Sequence, residues 1–140
     1  MPGYEDLLVW RKAFALAKEI YLLTGSLPTS ERFGLTSQMR RAAVSIPSNI
    51  AEGYRRAHRL ERRQFALIAF GSASELETQL RLAMELRLLP SEPAEKARAS
   101  LQEVSKLLNL YCRALARGQY TPVRPYSPTS LLPCSPTPLS

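Results

Sequence analysis

The sequence predicts an all-α protein, an antiparallel up-and-down four-helix bundle followed by a disordered proline-rich C-terminal tail. Apolar residues recur at helical spacing in four separate stretches. Glycine and proline mark the breaks between those stretches. Six of the eleven prolines lie between Pro122 and Pro138, where they exclude both a helix and a central strand. We therefore predict a bundle over residues 1–118 and a tail over residues 119–140.

The first helix is predicted from about residue 5 to residue 24, where Gly25 ends it and Pro28 prevents its restart. One apolar set recurs at helical spacing and a second set widens the apolar side. Because that side is so wide, we expect it to contact more than one partner. The two sets are Trp10, Phe14, Ala17 and Tyr21, and Val9, Leu16, Ile20 and Leu23.

The second helix is predicted to begin with Thr36 or Ser37 as its cap and to end between Gly53 and His58. Pro47 lies near its middle and cannot donate to the carbonyl of Ala43. Short polar side chains around it are suited to satisfying a freed backbone group. The helix has an apolar arc of Met39, Ala42, Ala43, Ile46, Ile50 and Gly53, and a polar arc of Arg41, Ser45, Ser48, Asn49, Glu52 and Arg56.

The third helix is predicted from Arg59 to Leu89, because Pro90 follows. Its small residues 71–74 predict close approach of another helix. Its inner face is predicted to hold Phe65, Ile68, Ser72, Leu76, Leu80 and Ala83. The fourth helix begins near Ser91 and has an apolar stripe at 4-3-4-3-4 spacing, formed by Ala97, Leu101, Val104, Leu108, Tyr111 and Leu115.

Three stretches together resemble the bacterial four-helix bundle protein family. They are YEDLLVWRKAFALAKEIYLLTGSLP, QMRRAAVSIPSNIAEG and FALIAFGSASELETQLRLA, and the resemblance spans roughly residues 4–116. That family includes proteins encoded inside intervening sequences of large-subunit ribosomal RNA genes. It is also similar in structure to the accessory variability determinant of diversity-generating retroelements.

The resemblance implies assembly with copies of the same chain, because family members of known structure look like homopentamers. The retroelement accessory protein contacts a reverse transcriptase, so a reverse transcriptase is a possible second partner by resemblance. The match is closer to the intervening-sequence branch. A purely structural protein-interaction module, whose charge serves only solubility, is a further alternative.

The inventory of reactive groups argues against an enzyme. His58 is the single histidine and stands among arginines, which oppose its protonation, so we predict no catalytic residue and no metal or cofactor. No apolar run approaches the length of a membrane span, and we expect a cytoplasmic protein without a membrane partner. Cys112 is interpreted as a small core residue, and Cys112 and Cys134 are too few for a disulfide framework.

Positive charge is the remaining distinctive feature. The formal net charge is +7, and Arg124 is the only charged residue of the tail. We predict a nucleic-acid-binding surface for RNA or DNA, reading charge and shape more than sequence, with no aromatic interleaving. The alternative is a solvated charged face. The candidate binding residues are Arg55, Arg56, Arg59, Arg62 and Arg63 at the second interhelical junction, with Arg40 and Arg41 extending the charge along the second helix.

Overall fold

The computed structural model describes residues 3–118, so the predicted tail and Cys134 lie outside the described residues. Four long helices account for most of that range: α1 (Leu8–Thr24), α2 (Leu35–Tyr54), α3 (Arg59–Glu85) and α4 (Ser91–Arg117). A short 3₁₀ turn precedes α1 at Tyr4–Asp6, and another precedes α2 at Thr29–Glu31. Residues 3–118 contain no strand.

Each helix packs against its neighbours in the chain, and α4 also packs against α1. Within residues 3–118 the backbones of the diagonal pairs, α1 with α3 and α2 with α4, do not approach closely. Short connections force successive helices to run in opposite directions. The result is the predicted antiparallel up-and-down four-helix bundle.

The core lies along the faces of α2 and α4 that the sequence predicts. The six residues of the α2 apolar arc are buried, and so are the six of the α4 stripe. Cys112 is also buried and free, which confirms its interpretation as a small core residue. These helices were predictable because each carries one narrow apolar stripe with polar residues on the remaining surface.

The helix α1 does not bury its two apolar sets equally. Its buried positions are Val9, Ala13, Leu16, Ala17, Ile20, Leu23 and Thr24, whereas Phe14 and Tyr21 are each 46% exposed. Both apolar sets have helical spacing, so periodicity alone could not choose between them. The small Ala13 and Ala17 allow the neighbouring helices to approach, and the bulky aromatic set lies toward the surface.

The start of α2 also differs from the prediction. The helix begins at Leu35, one residue before the expected caps, and neither Thr36 nor Ser37 caps it. Instead Oε1 of Glu31 accepts a hydrogen bond of 3.2 Å from the Leu35 amide, so a carboxylate four residues upstream serves the free helix end.

The helix α2 continues through the buried Pro47. The Asn49 side chain donates to the carbonyl and hydroxyl oxygens of Ser45, at 2.8 and 2.9 Å, and the Ser45 hydroxyl pairs with that of Ser72 on α3 at 2.8 Å. Ser48 is exposed. These contacts join α2 to α3 and go to Ser45, not to the carbonyl of Ala43 that the proline frees.

The backbones of α2 and α3 approach closely at Gly53, and Ser72 of the predicted segment 71–74 also contacts Ser45 of α2. A Cβ atom on Gly53 would lie 2.7 Å from the Cβ of Phe65 and 3.1 Å from the carbonyl oxygen of Arg62, whereas a Cβ on Gly71 would meet nothing within 4 Å. The face that α3 buries is rich in alanine, and Ile68 is 52% exposed instead of lying inside. α3 also ends at Glu85, four residues before the predicted end.

Candidate nucleic-acid interface

Five of the predicted binding residues meet at one end of the bundle. Arg55 and Arg56 follow the end of α2, while Arg59, Arg62 and Arg63 occupy the first turns of α3. The end of α4 reaches the same place. Seven arginines from the α2–α3 connection, α3 and α4 are therefore gathered there, and we call this set the junction cluster: Arg55, Arg56, Arg59, Arg62, Arg63, Arg113 and Arg117.

Arg40 and Arg41 lie elsewhere. At 1.5 Å per helical residue, Arg41 is about 21 Å along α2 from Arg55. Arg40 donates from Nε to the Thr24 hydroxyl at 2.8 Å and from Nη2 to the Tyr21 carbonyl at 3.2 Å, and its guanidinium lies over the Tyr21 ring. It therefore stabilises the C-terminal end of α1. Arg41 is exposed.

Arg59 closes the C-terminal end of α4. Its Nη1 donates to the carbonyl oxygens of Leu115 and Ala116, at 2.6 and 2.9 Å. Those carbonyls belong to the last turn, which lacks intrahelical donors and carries the negative end of the helix dipole. Gly118 follows with a left-handed φ of 70°, which suits glycine, and terminates the helix.

Arg56 and Arg62 are fixed by contacts inside the junction. Nε of Arg62 donates to the carbonyl of Arg56 at 2.7 Å, and its guanidinium lies 6.0 Å from the centre of the Tyr54 ring. Arg56 pairs with Glu52 at 2.6 Å and lies 5.0 Å from the centre of the Phe65 ring. Both guanidinium groups are therefore held in place by contacts within the bundle.

Arg55 and Arg63 make fewer contacts. Arg55 is exposed, with its guanidinium 5.4 Å from the centre of the Tyr4 ring. Arg63 is half-buried, and its Nε and Nη2 have no hydrogen-bond partner within residues 3–118. Burial raises the pKa of the Cys112 thiol to about 11, and the positive charge of Arg63 opposes that rise.

Aromatic rings lie among these arginines in three dimensions, although the sequence shows no aromatic interleaving. Arg55, Arg56 and Arg62 each lie over a ring, and the three rings come from different parts of the chain. Tyr4, Tyr54 and Phe65 are not spaced regularly with the arginines in the sequence. The position of Tyr54 and Phe65 beside the α2–α3 connection is the sequence signal for this arrangement, and it favours a core or junction role for both rings.

Further reactive groups of the described part of the chain include His58 and Tyr111. His58 is exposed at the N-cap position of α3. Burial raises the pKa of the Tyr111 phenol far above its ordinary value. Residues 3–118 hold no group of three or more His, Cys, Asp or Glu side chains placed for a metal ion. No helix in that range has the length and apolar character required to span a membrane.

A family profile described as 23S rRNA-intervening sequence protein matches residues 5–110, which covers α1, α2, α3 and most of α4. The chain belongs to this family. The region of the profile includes every candidate arginine named from the sequence. A search of curated proteins returns no match.

Among solved structures, the chain is similar to a crystal structure of a protein with unknown function from the S23 ribosomal protein family of Bacteroides thetaiotaomicron. The two share 26% sequence identity with a TM-score of 0.71. The similarity covers 76% of this chain and 99% of that one. This 23S rRNA-intervening sequence family member and that protein therefore share the four-helix bundle fold.

Proposed function

We propose that this 23S rRNA-intervening sequence family member is a non-enzymatic, oligomeric protein that binds RNA or DNA through the junction cluster, with little sequence preference. The family name points to a ribosomal RNA gene, and the bundle supplies a basic surface at one end. Phosphate groups are the chemical partner that such a surface recognises.

The observation that carries the proposal is the way the arginines are held. Arg59 and Arg62 donate to backbone carbonyls, not to carboxylates. A carbonyl orients the guanidinium without cancelling its charge. Each guanidinium also has five N–H donors, so one that caps a helix can still donate to a phosphate. Arg56 is paired with Glu52, but within residues 3–118 neither Arg55 nor Arg63 forms such a pair.

The same geometry supports binding to phosphates in preference to bases. The rings of Tyr4, Tyr54 and Phe65 are already covered by arginine side chains, so they are not free to stack on bases. Contacts to the backbone carry no direct sequence information. Affinity should therefore depend on charge and on the shape of the nucleic acid.

Assembly would strengthen this binding. The outward side of α3 exposes large apolar residues that the bundle itself does not cover, namely Leu60, Leu67, Ile68, Leu82 and, just after the helix, Leu86. We propose that this face packs against a neighbouring copy, in the homopentamer that the family resemblance implies. Each added copy brings another junction cluster, and multivalent contact then raises a weak single-site affinity.

The test is the salt dependence of binding by the chain to a structured RNA and to a DNA duplex of unrelated sequences. The logarithm of affinity should fall linearly with the logarithm of salt concentration. Replacing Arg55 and Arg63 together with glutamine should weaken binding to all sequences alike. The slope should decrease by about one unit for each phosphate that the variant no longer neutralises. Both residues are chosen because neither donates to a helix end.

The matched control removes two positive charges from the opposite end, at Arg32 and Lys96, which are both exposed. This control should retain the affinity and the slope of the original protein. Absence of binding at low salt, or equal decreases in affinity for the two variants, would contradict a binding surface at the junction and leave the arginines as structural and solvated groups.

A further inference from the structure

An apolar groove runs along the outside of the bundle between α1 and α2. Its floor is formed by the exposed aromatic side of α1, where the ring centres of Tyr4 and Trp10 lie 5.1 Å apart and those of Trp10 and Phe14 lie 4.9 Å apart. Val44 and Pro47 of α2 form the opposite wall, and Tyr21 lies at the far end. The charged groups of Arg55, Lys18 and Arg40 lie over the rings of Tyr4, Phe14 and Tyr21, and Trp10 lies between Tyr4 and Phe14.

We propose that the proline-rich segment 122–128 of the same chain docks in this groove. The segment reads PVRPYSP, with proline at every third position. A polyproline II helix has three residues per turn, so Pro122, Pro125 and Pro128 would share one face. Grooves lined by aromatic side chains recognise this pattern, because the preformed helix loses little entropy and its prolines pack between rings.

The position of Gly118 makes the groove accessible to that segment. The ion pair of 2.9 Å between Lys12 and Glu103 fixes the alignment of α1 with α4. From Glu103, α4 continues about 22 Å toward the end of the bundle where α1 begins. The chain therefore leaves α4 at the end that holds Tyr4, and the left-handed φ of 70° at Gly118 turns it away from the helix axis.

The length of the remaining chain is sufficient. The groove extends from Tyr4 to Leu22, about 27 Å of helix. In a polyproline II conformation, which rises about 3.1 Å per residue, this distance takes roughly nine residues, and the seven residues 122–128 cover about 22 Å of it. Residues 119–140 provide more than that, and Arg124 is the only charge among them. Attachment to the bundle makes docking intramolecular, with an effective concentration that a separate proline-rich partner would lack.

Trp10 reports on the groove, because it is the only tryptophan of the chain and it is partly exposed. We would measure acrylamide quenching of its fluorescence in the full chain and in a variant with Pro122, Pro125 and Pro128 replaced by alanine. Removing the docked segment should increase the quenching constant roughly two-fold, since one face of the indole becomes uncovered. The three replacements lie outside the bundle, and circular dichroism would verify that it is intact.

The matched control replaces Pro133, Pro136 and Pro138 in the same way and should leave the quenching constant unchanged. Equal quenching in the original chain and in the first variant would overturn the proposal. A second outcome would also overturn the proposal: protection of Trp10 from acrylamide that is lost on dilution and is the same in both proline variants. A second copy of the chain would then occupy the groove. Neither result bears on the salt dependence of nucleic-acid binding, so this proposal can fail without the proposed function.

Discussion

At the scale of single residues, Gly53 determines how closely α2 and α3 pack. Its replacement by alanine would place a Cβ 2.7 Å from Phe65 Cβ and 3.1 Å from the Arg62 carbonyl oxygen, both on the backbone-proximal part of α3. The helices would have to separate at the junction. We expect a decrease of about 1–3 kcal/mol in the free energy of unfolding, measured by chemical denaturation.

Gly71 is the matched control for Gly53, because it also lies within a helix but a Cβ there would meet nothing within 4 Å. Replacing Gly71 with alanine should stabilise the protein by about 1 kcal/mol, since alanine has the better helix propensity. A Gly53→Ala variant as stable as Gly71→Ala would show that the helices are not in close contact at that point.

Cys112 predicts a loss of stability in alkaline solution. Its pKa is about 11 in the folded protein, above the ordinary value of 9.0, because burial disfavours the thiolate. Between those values the unfolded chain releases the proton first, so stability falls as pH rises. One such group changes the free energy of unfolding by at most about 1.4 kcal/mol per pH unit. From about pH 9 to about pH 10, the denaturation midpoint of the original protein should fall more steeply with pH than that of Cys112→Ala.

Below about pH 8 the Cys112 thiol is protonated in both the folded and the unfolded state, so it contributes no pH dependence. The denaturation midpoints of the two proteins should then change with pH in parallel. Tyr111 acts in the same direction at higher pH, because burial raises its pKa as well, and it is present in both proteins. Identical slopes for the two proteins over the alkaline window would mean that Cys112 ionises in the folded protein as readily as in the unfolded chain.

At the scale of the elements, the helices and their order were predictable, whereas several helix ends were not. Interior positions of α2 and α4 follow from a periodicity that is local to each segment. The ends depend on groups from elsewhere: Glu31 serves the start of α2, and Arg59 serves the end of α4 across 56 residues of sequence. A partner as distant as Arg59 is brought to its helix end only by the tertiary fold.

The candidate site follows the same rule. The sequence indicated where arginines gather, because five of them fall within nine positions of the α2–α3 connection. It could not indicate that Arg40 and Arg59 hold the ends of α1 and α4, since those contacts are long-range. The assignment of Arg40 and Arg41 to one surface with Arg55 was too broad for the same reason.

Arg40 and Arg41 provide a matched pair for the capping role. Arg40→Gln should lower the free energy of unfolding by about 1 kcal/mol, because it removes charge-assisted hydrogen bonds at the negative end of α1. Arg41→Gln removes the same charge from an exposed position and should change stability by less than about 0.5 kcal/mol. Urea denaturation of the two variants compares them directly, and equal midpoints would exclude a capping role for Arg40.

At the scale of the whole molecule, charge and apolar surface are separated. The junction cluster occupies one end of the bundle, the apolar groove lies between α1 and α2, and the exposed apolar side of α3 is a third surface. The junction cluster meets the groove where Arg55 lies over the ring of Tyr4. Away from that contact, the proposed nucleic-acid binding, tail docking and assembly can be tested by substitutions that alter one surface at a time.

Assembly can be tested by placing a charge on the outward side of α3. Ile68 is 52% exposed in the single bundle, so Ile68→Asp should leave the helix content intact. In an oligomer that buries this face, the carboxylate would be desolvated without a partner and the interface would be disrupted. Light scattering at micromolar concentration should then give the mass of a discrete oligomer for the original protein and a lower mass for the variant.

The control Gln102→Asp, on the exposed side of α4, should keep the original mass. A monomer mass for the original protein would contradict assembly and remove multivalency from the account of binding, whereas an unchanged mass in Ile68→Asp would show that copies meet through another surface.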